Sequence, residues 1–244
     1  MADAQSPASI QDFYKVAFFS TKKAELTQQE FIDYSIETHV PLVLQIPGLR
    51  GYVLNFADPK AEDPAYNAVV ELWFDSEEAF QQGLASSQGQ AALEDQGNFL
   101  EGPAPYLAVQ ERMPIYPNRP AEGETYEGYK STYLIPRNPE HSLEEVYLAQ
   151  FRDYVPVAIG VLGDVIKGYE INFVREENPD FPIAMVINAW FTSVEDLMAA
   201  VQHPAMAKTE QIRKEYYGKR QYFDVIEYVA KTPPTLVEGT ARSK

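Results

Sequence analysis

Few residue types in this chain can move a proton near neutral pH. There are three histidines, His39, His141 and His203, and no cysteine. Without cysteine there are no disulfides, thiolate nucleophiles or cysteine-ligated metals. Imidazole titrates closest to neutrality, so the histidines are weighed first. Ile32, Ile36, Val40 and Val43 recur at three- and four-residue spacing and mark the apolar side of a helix. His39 lies beside that stripe, within reach of a gap between helix and sheet. It is the candidate general base or proton shuttle; otherwise its ring only steadies the chain at Pro41. His141 precedes a capping serine and reads as exposed. His203 reads as a loop residue.

Glu71 is the second candidate. Alternation along a strand places Val69, Glu71 and Trp73 on one face. A carboxyl beside tryptophan on a partly apolar face would titrate high and serve as an acid. Its other reading is a rim carboxylate, or one paired across a sheet interface. Tyr52 is the third candidate, a phenol able to donate to a developing oxyanion. Tyr14, Tyr34 and Trp73 would line an aromatic pocket, and Arg50 would bind an acidic or enolate group. The expected catalytic set is therefore His39, Glu71 and Tyr52. The expected substrate-binding set is Tyr14, Tyr34, Arg50 and Trp73. No two histidines are close in sequence, and no metal site is expected. Neither a P-loop nor a dinucleotide glycine motif nor a nucleophile elbow is present, and no bound cofactor is expected.

The elements that must position these residues occur twice. Tyr14 and Tyr129 stand 115 residues apart, as do Pro41 and Pro156. Gly51-Tyr52 and Gly168-Tyr169, Asn55-Phe56 and Asn172-Phe173, and Trp73-Phe74 and Trp190-Phe191 stand 117 apart. The two-residue shift falls in the loop before Gly51 and Gly168. A period this long implies two fused domains. Strands are expected over 13–19, 52–56, 68–74 and 106–112, and again from 129 and over 169–174, 184–191 and 222–229. Thr27 with Glu30, and Ser142 with Glu145, form capping boxes before a helix in each half. Pro41 and Pro156 should kink or end those helices. Ser76 and Ser193 cap a second helix in each half. The basic stretch near 208–215 reads as a solvated helix face.

Each half thus reads β-α-β-β-α-β, the ferredoxin-like order. The fold class is α+β. Two domains, 12–115 and 126–231, should pack sheet to sheet as an intramolecular dimeric α+β barrel. Residues 116–125 form a linker, 1–11 a loose leader and 232–244 a mobile tail.

Bulk properties narrow the partners. The chain has 244 residues, 45% hydrophobic and 23% charged, with a formal net charge of −16. Both halves are acidic, so a polyanion would be repelled and no nucleic acid is expected. No apolar run approaches the roughly 20 residues that span a bilayer, and no secretory pattern opens the chain. The expected setting is cytoplasmic, as a monomeric pseudo-dimer or a homodimer.

At this point the residues carry a resemblance. His39-Val-Pro-Leu, then Ile46-Pro-Gly-Leu-Arg50-Gly-Tyr52, then Trp73-Phe74-Asp-Ser76, resemble the EthD family of the dimeric α+β barrel superfamily. The likeness covers about 12–114 well and 127–230 more loosely. It implies a small enzyme that rearranges, dehydrates, cyclises or oxygenates aromatic or polyketide-like compounds without a bound cofactor. The wider superfamily also implies fused haem proteins, for which His203 would be the ligand.

The second half departs from the pattern. Tyr154 replaces His39, Leu162-Gly163 replaces the Pro-Gly pair, Asn188 replaces Glu71 and Lys167 replaces Arg50. The first half is therefore the expected site, and the second its structural partner. The expected function is proton abstraction next to a carbonyl, leading to elimination, isomerisation or cyclisation. A cofactor-free monooxygenase, a non-catalytic small-molecule binder and a haem protein are the alternatives.

Overall fold

The computed structural model describes residues 13–61, 63–179 and 181–234. The expected leader, and the expected tail from residue 235 on, lie outside the described residues.

Eight antiparallel strands close into one barrel. In chain order they are β1 (Tyr14–Ser20), β2 (Gly51–Ala57), β3 (Ala68–Phe74), β4 (Tyr106–Ile115), β5 (Tyr129–Pro136), β6 (Ile166–Val174), β7 (Ile183–Phe191) and β8 (Gln221–Lys231). Their order around the barrel is β1-β3-β2-β8-β5-β7-β6-β4, with β4 pairing back onto β1. The two halves meet edge to edge as well as face to face. Asn55 on β2 sits opposite Glu227 on β8, and Glu111 on β4 opposite Asn172 on β6. Closure leaves no unpaired strand edge among these eight.

Helices cover the outside. In the first half Thr27 caps α1 (Gln28–Tyr34), its hydroxyl accepting from the Glu30 amide at 3.2 Å. Pro41 does not stop this helix. A π-helical turn, Ser35–His39, follows α1 and runs directly into α2 (Val40–Val43). Proline offers no amide, and the wider turn before it accommodates the lost bond. The second half repeats the device with α5 (Leu143–Leu148), a π-helical turn at Ala149–Tyr154, and α6 (Val155–Leu162), with Pro156 in its first turn.

Each expected second helix is two helices. Ser76 caps α3 (Glu77–Ala85), and Ser86 ends it while capping α4 (Ser87–Phe99). Ser193 caps α7 (Val194–Ala200), which a turn separates from α8 (Met206–Tyr216).

Alternation divides each strand between two cores. On β1, Val16 and Phe18 face the helices while Lys15, Ala17 and Phe19 face the barrel interior. Phe31, Phe56, Phe74, Phe80 and Phe99 fill the first helix–sheet layer. Full burial of such a ring stabilises by about 1.5–3 kcal/mol. A matching layer in the second half is built on Tyr169, Ile171, Phe173 and Phe191.

The recurring Gly-Tyr pair also has a steric cause. A Cβ at Gly168 would lie 2.5 Å from the Cβ of Pro117, and one at Gly51 would lie 2.8 Å from the Cα of Pro233. Only glycine lets those segments cross the strand starts so closely.

Candidate functional site

His39 stands at the end of the π-helical turn with 8% of its surface exposed. Its Nδ1 lies 2.9 Å from Oδ2 of Asp95 on α4. Asp95 is itself 9% exposed and accepts two further hydrogen bonds on Oδ1, from the Tyr34 hydroxyl at 2.8 Å and the Asn98 amide at 2.9 Å. Burial raises the Asp95 carboxyl, but the bonds from Asn98, Tyr34 and His39 outweigh it and hold the group below its ordinary value. Burial lowers His39, and Asp95 offsets that only in part. The imidazole is therefore neutral at neutral pH. An ionised Asp95 accepts only, so Nδ1 carries the hydrogen and Nε2 holds the lone pair. A neutral, oriented imidazole is what a general base requires. The ring packs on Phe99, with centroids 4.8 Å apart.

His39 borders a cleft between the helices and the sheet. Its other walls include Phe31, Tyr52, Leu54, Leu72 and Leu93. Tyr52 is 1% exposed, and burial pushes its hydroxyl well above the ordinary phenol value. It stays protonated and can only donate to an anion. The cleft has a volume of about 50 Å³ as it stands, room for a few water molecules.

Glu71 and Trp73 do not join this cleft. They face the barrel interior, across the sheet from His39 and Tyr52, because odd and even positions of β2 and β3 point to opposite sides. Glu71 is fully buried. It pairs with Lys15 at 2.8 Å and accepts from Asn55 at 3.1 Å, Asn172 at 3.2 Å and Asn188 at 3.1 Å. Asn188, which replaces Glu71 in the second half, is thus its hydrogen-bond partner. The carboxylate–amide difference between the halves serves a shared polar core.

That core holds three cations, Lys15, Arg119 and Lys130, and four carboxylates, Glu71, Glu111, Glu170 and Glu227. Lys15 touches Glu111 at 2.7 Å and Glu170 at 2.8 Å, and Lys130 touches Glu227 at 2.9 Å. Each lysine lies over a tryptophan, Lys15 at 4.2 Å from the Trp73 ring centroid and Lys130 at 4.0 Å from that of Trp190. Arg119 comes from the segment expected to be only a linker; its guanidinium enters the barrel to meet Glu170 and Glu227.

The remaining expected residues lie elsewhere. Arg50 is exposed and forks onto Asp75 at 2.9–3.0 Å, outside the cleft. Tyr14 faces a separate groove, with Arg175 at 5.6 Å from its ring. Tyr34 touches the site through Asp95. The structure therefore brings together His39, Tyr34 and Tyr52, and adds Asp95, which the sequence reading missed. Its signal was present: on α4 Gly89, Ala92, Asp95 and Phe99 form one buried stripe, and Asp95 is its one charged member.

His203, the residue that the haem alternative names, borders a cavity of the second half and not the cleft beside His39. It sits on an exposed turn, and its Nδ1 accepts from the Ala205 amide at 3.2 Å. No cluster of three or more His, Asp or Glu suited to a metal ion occurs among the described residues. No helix among them is long and apolar enough to cross a membrane.

The barrel with helices outside defines the dimeric α+β barrel class. A protein described as anthrone oxidase-like superposes with a TM-score of 0.64 at 12% identity, over 94% of this chain and 99% of that one. A candidate monooxygenase of Fusobacterium nucleatum superposes with a TM-score of 0.59 at 10% identity, over 91% and 94%. Identities this low establish the fold alone. Sequence similarity goes further: the EthD domain model matches residues 23–103. An uncharacterised 11.0 kDa protein of Rhodococcus erythropolis is 33% identical over 82 residues, 33% of this chain and 80% of that protein. The chain belongs to the EthD family, and the matched segment contains His39, Tyr52 and Asp95.

Proposed function

We propose that this protein is a cofactor-independent enzyme that oxygenates a small aromatic or polyketide-like molecule, with His39 as its base. The observation that carries the reading is the buried His39–Asp95–Tyr34 array at the wall of an apolar cleft. We also read the halves as tandem copies, 12–115 and 126–231, of which the first is the catalytic one.

The reaction follows from the array. A methylene flanked by rings and conjugated to a carbonyl loses a proton to Nε2 of His39. The Tyr52 hydroxyl donates to the enolate oxygen, and the apolar walls exclude water. The enolate is electron-rich enough to reduce dioxygen itself. A carbon–oxygen bond forms at the former methylene, and water leaves as that carbon becomes a carbonyl. One oxygen atom enters the product, the other leaves as water with the two methylene hydrogens, and the substrate supplies all four electrons. Elimination or isomerisation beside a carbonyl would use the same first step without dioxygen. The structural likeness to a protein described as anthrone oxidase-like favours oxygenation.

The cleft must widen to admit a ring, with wall side chains such as Leu84 and Leu93 swinging aside while the His39–Asp95 contact is kept. Oxygen uptake with anthrone tests the proposal: the wild type should consume one dioxygen per anthrone, and His39→Ala should lose most of that rate.

A further inference from the structure

The second half holds a far larger cavity than the first, and the proposed reaction makes no use of it. Its volume is about 710 Å³, against about 50 Å³ for the cleft beside His39. It occupies the same place, between helices and sheet. Volumes of this order hold whole drug-sized ligands.

The walls differ from those of the first half at three matching positions. Tyr133 stands where Phe18 stands in the first half, Gln150 where Ser35 stands and Tyr154 where His39 stands, each 115 residues on. Tyr133 adds a hydroxyl where Phe18 has none, Gln150 is a longer polar side chain than Ser35, and Tyr154 exchanges an imidazole for a phenol. Gln150 is fully buried between two phenols. Its amide donates to the Tyr169 hydroxyl at 3.0 Å, and its carbonyl oxygen accepts from the Tyr217 hydroxyl. Those three groups hold one another. Tyr154, whose ring lies 6.3 Å from that of Tyr217, has no hydrogen-bond partner for its hydroxyl among the described residues.

Charge supplies the second observation. Arg220 lies at the wall with its guanidinium 5.6 Å from the Tyr133 ring and 5.7 Å from the Tyr222 ring. It makes no ion pair among the described residues, whereas Arg213 beside the same cavity is paired with Glu210. The same wall carries two carboxylates, Glu210, which holds Arg213, and Asp224, which accepts from the Tyr129 and Ser131 hydroxyls; Arg220 is the wall cation with no ion pair among the described residues. Its field and that of Arg213 both reach Tyr154.

We propose that this cavity is a binding site for a planar, multi-ring aromatic anion, a phenolate or carboxylate, stacked among Tyr133, Tyr154 and Tyr169 with its acidic group toward Arg220. Flat aromatic walls select a flat ligand. A guanidinium selects an acidic group with more than point charge, since it can donate two parallel hydrogen bonds. The site stands independently of the reaction assigned to the first half.

Fluorescence titration of the full chain with anthracene carboxylate tests it, with hydroxymethyl anthracene as the uncharged control. Saturable binding of one carboxylate per chain is expected, at least about tenfold tighter than the control. Arg220→Ala should weaken the carboxylate about tenfold or more and leave the control unchanged. Tyr154→Phe keeps the ring and should weaken binding by a few fold. His39→Ala should bind as the wild type does, which separates this site from the proposed catalytic one. Equal affinity for the two probes, indifference to Arg220→Ala, or loss of binding in His39→Ala would each overturn the proposal. Haemin developing a Soret band that is lost in His203→Ala would overturn it too.

Discussion

Nδ1 of His39 and Oδ2 of Asp95 lie 2.9 Å apart, joining a π-helical turn to a helix 56 residues later. This contact fixes which imidazole nitrogen is free. Asp95→Asn should therefore reduce kcat/KM for anthrone by about 10²-fold, the lower end for loss of a well-placed base. Tyr34→Phe removes one of three hydrogen bonds to Asp95 and should cost less, a few fold. Steady-state kinetics on both variants checks the order, and equal losses would contradict it.

The pH dependence follows from the same contact. Burial holds the His39 pKa below 6.5, and the neutral form is the active one. Activity should rise with pH through an inflection below 6.5 and then level off. Asp95 raises the His39 pKa, so in Asp95→Asn the inflection should move lower still. A profile of kcat/KM against pH reads both. An inflection above 6.5 would contradict the environment described.

Lys15 makes a different kind of prediction. Its ammonium is shared by Glu71, Glu111 and Glu170 inside the barrel. Lys15→Met keeps much of the volume but leaves three buried carboxylates short of a cation. Breaking a buried ion network this way costs about 3–5 kcal/mol. Urea unfolding followed by circular dichroism should show a loss of that size. A loss under about 1 kcal/mol would mean that the network contributes little.

The interior also predicts how stability varies with pH. With four carboxylates and three cations, one carboxyl gains by keeping its proton. Glu111 is that group, pushed up to about 7 by burial, with Lys15 pulling it down and Glu170 pushing it up. A folded pKa above the unfolded value stabilises the fold at low pH. Its contribution is complete below about 4.5 and disappears as pH rises through about 7. Glu170 and Glu227 are shifted the opposite way. Burial raises both, but Lys15 and Arg119 outweigh it at Glu170, and Lys130 and Arg119 at Glu227. Their contribution is lost as pH falls below the ordinary carboxylate range. Wild-type stability should therefore decline between about pH 4.5 and 7 and level off above that, and Glu111→Gln should flatten the decline. Thermal melts across this range would show it.

The sequence made the strands and both capping boxes legible, because alternation and Thr27/Glu30 or Ser142/Glu145 are local signals. His39 was legible because the apolar stripe of its helix runs beside it. Sidedness across the sheet is legible only in part. Alternation already placed Glu71 with Trp73, and the same rule puts Tyr52 on the other face of β2, yet only the closed barrel shows which face the helices cover. Asp95 required knowing that α4 lies against the π-helical turn, a tertiary fact. Arg119 was hidden by a turn-rich, polar context, since a barrel interior that needs a cation is visible only once the strands close. The basic stretch of α8 read as solvated, and Lys208, Lys214 and Glu215 are exposed; Glu210 and Arg213 border the second cavity instead.

The central claim is that His39 is the base for a reaction in the first half, and oxygen uptake tests it most directly. Wild type, His39→Ala and Arg220→Ala would be compared with anthrone under air, with circular dichroism confirming that each is folded. The wild type should consume one dioxygen per anthrone. A fall of about 10²-fold or more in kcat is expected for His39→Ala and not for Arg220→Ala. Full turnover by folded His39→Ala would contradict the claim.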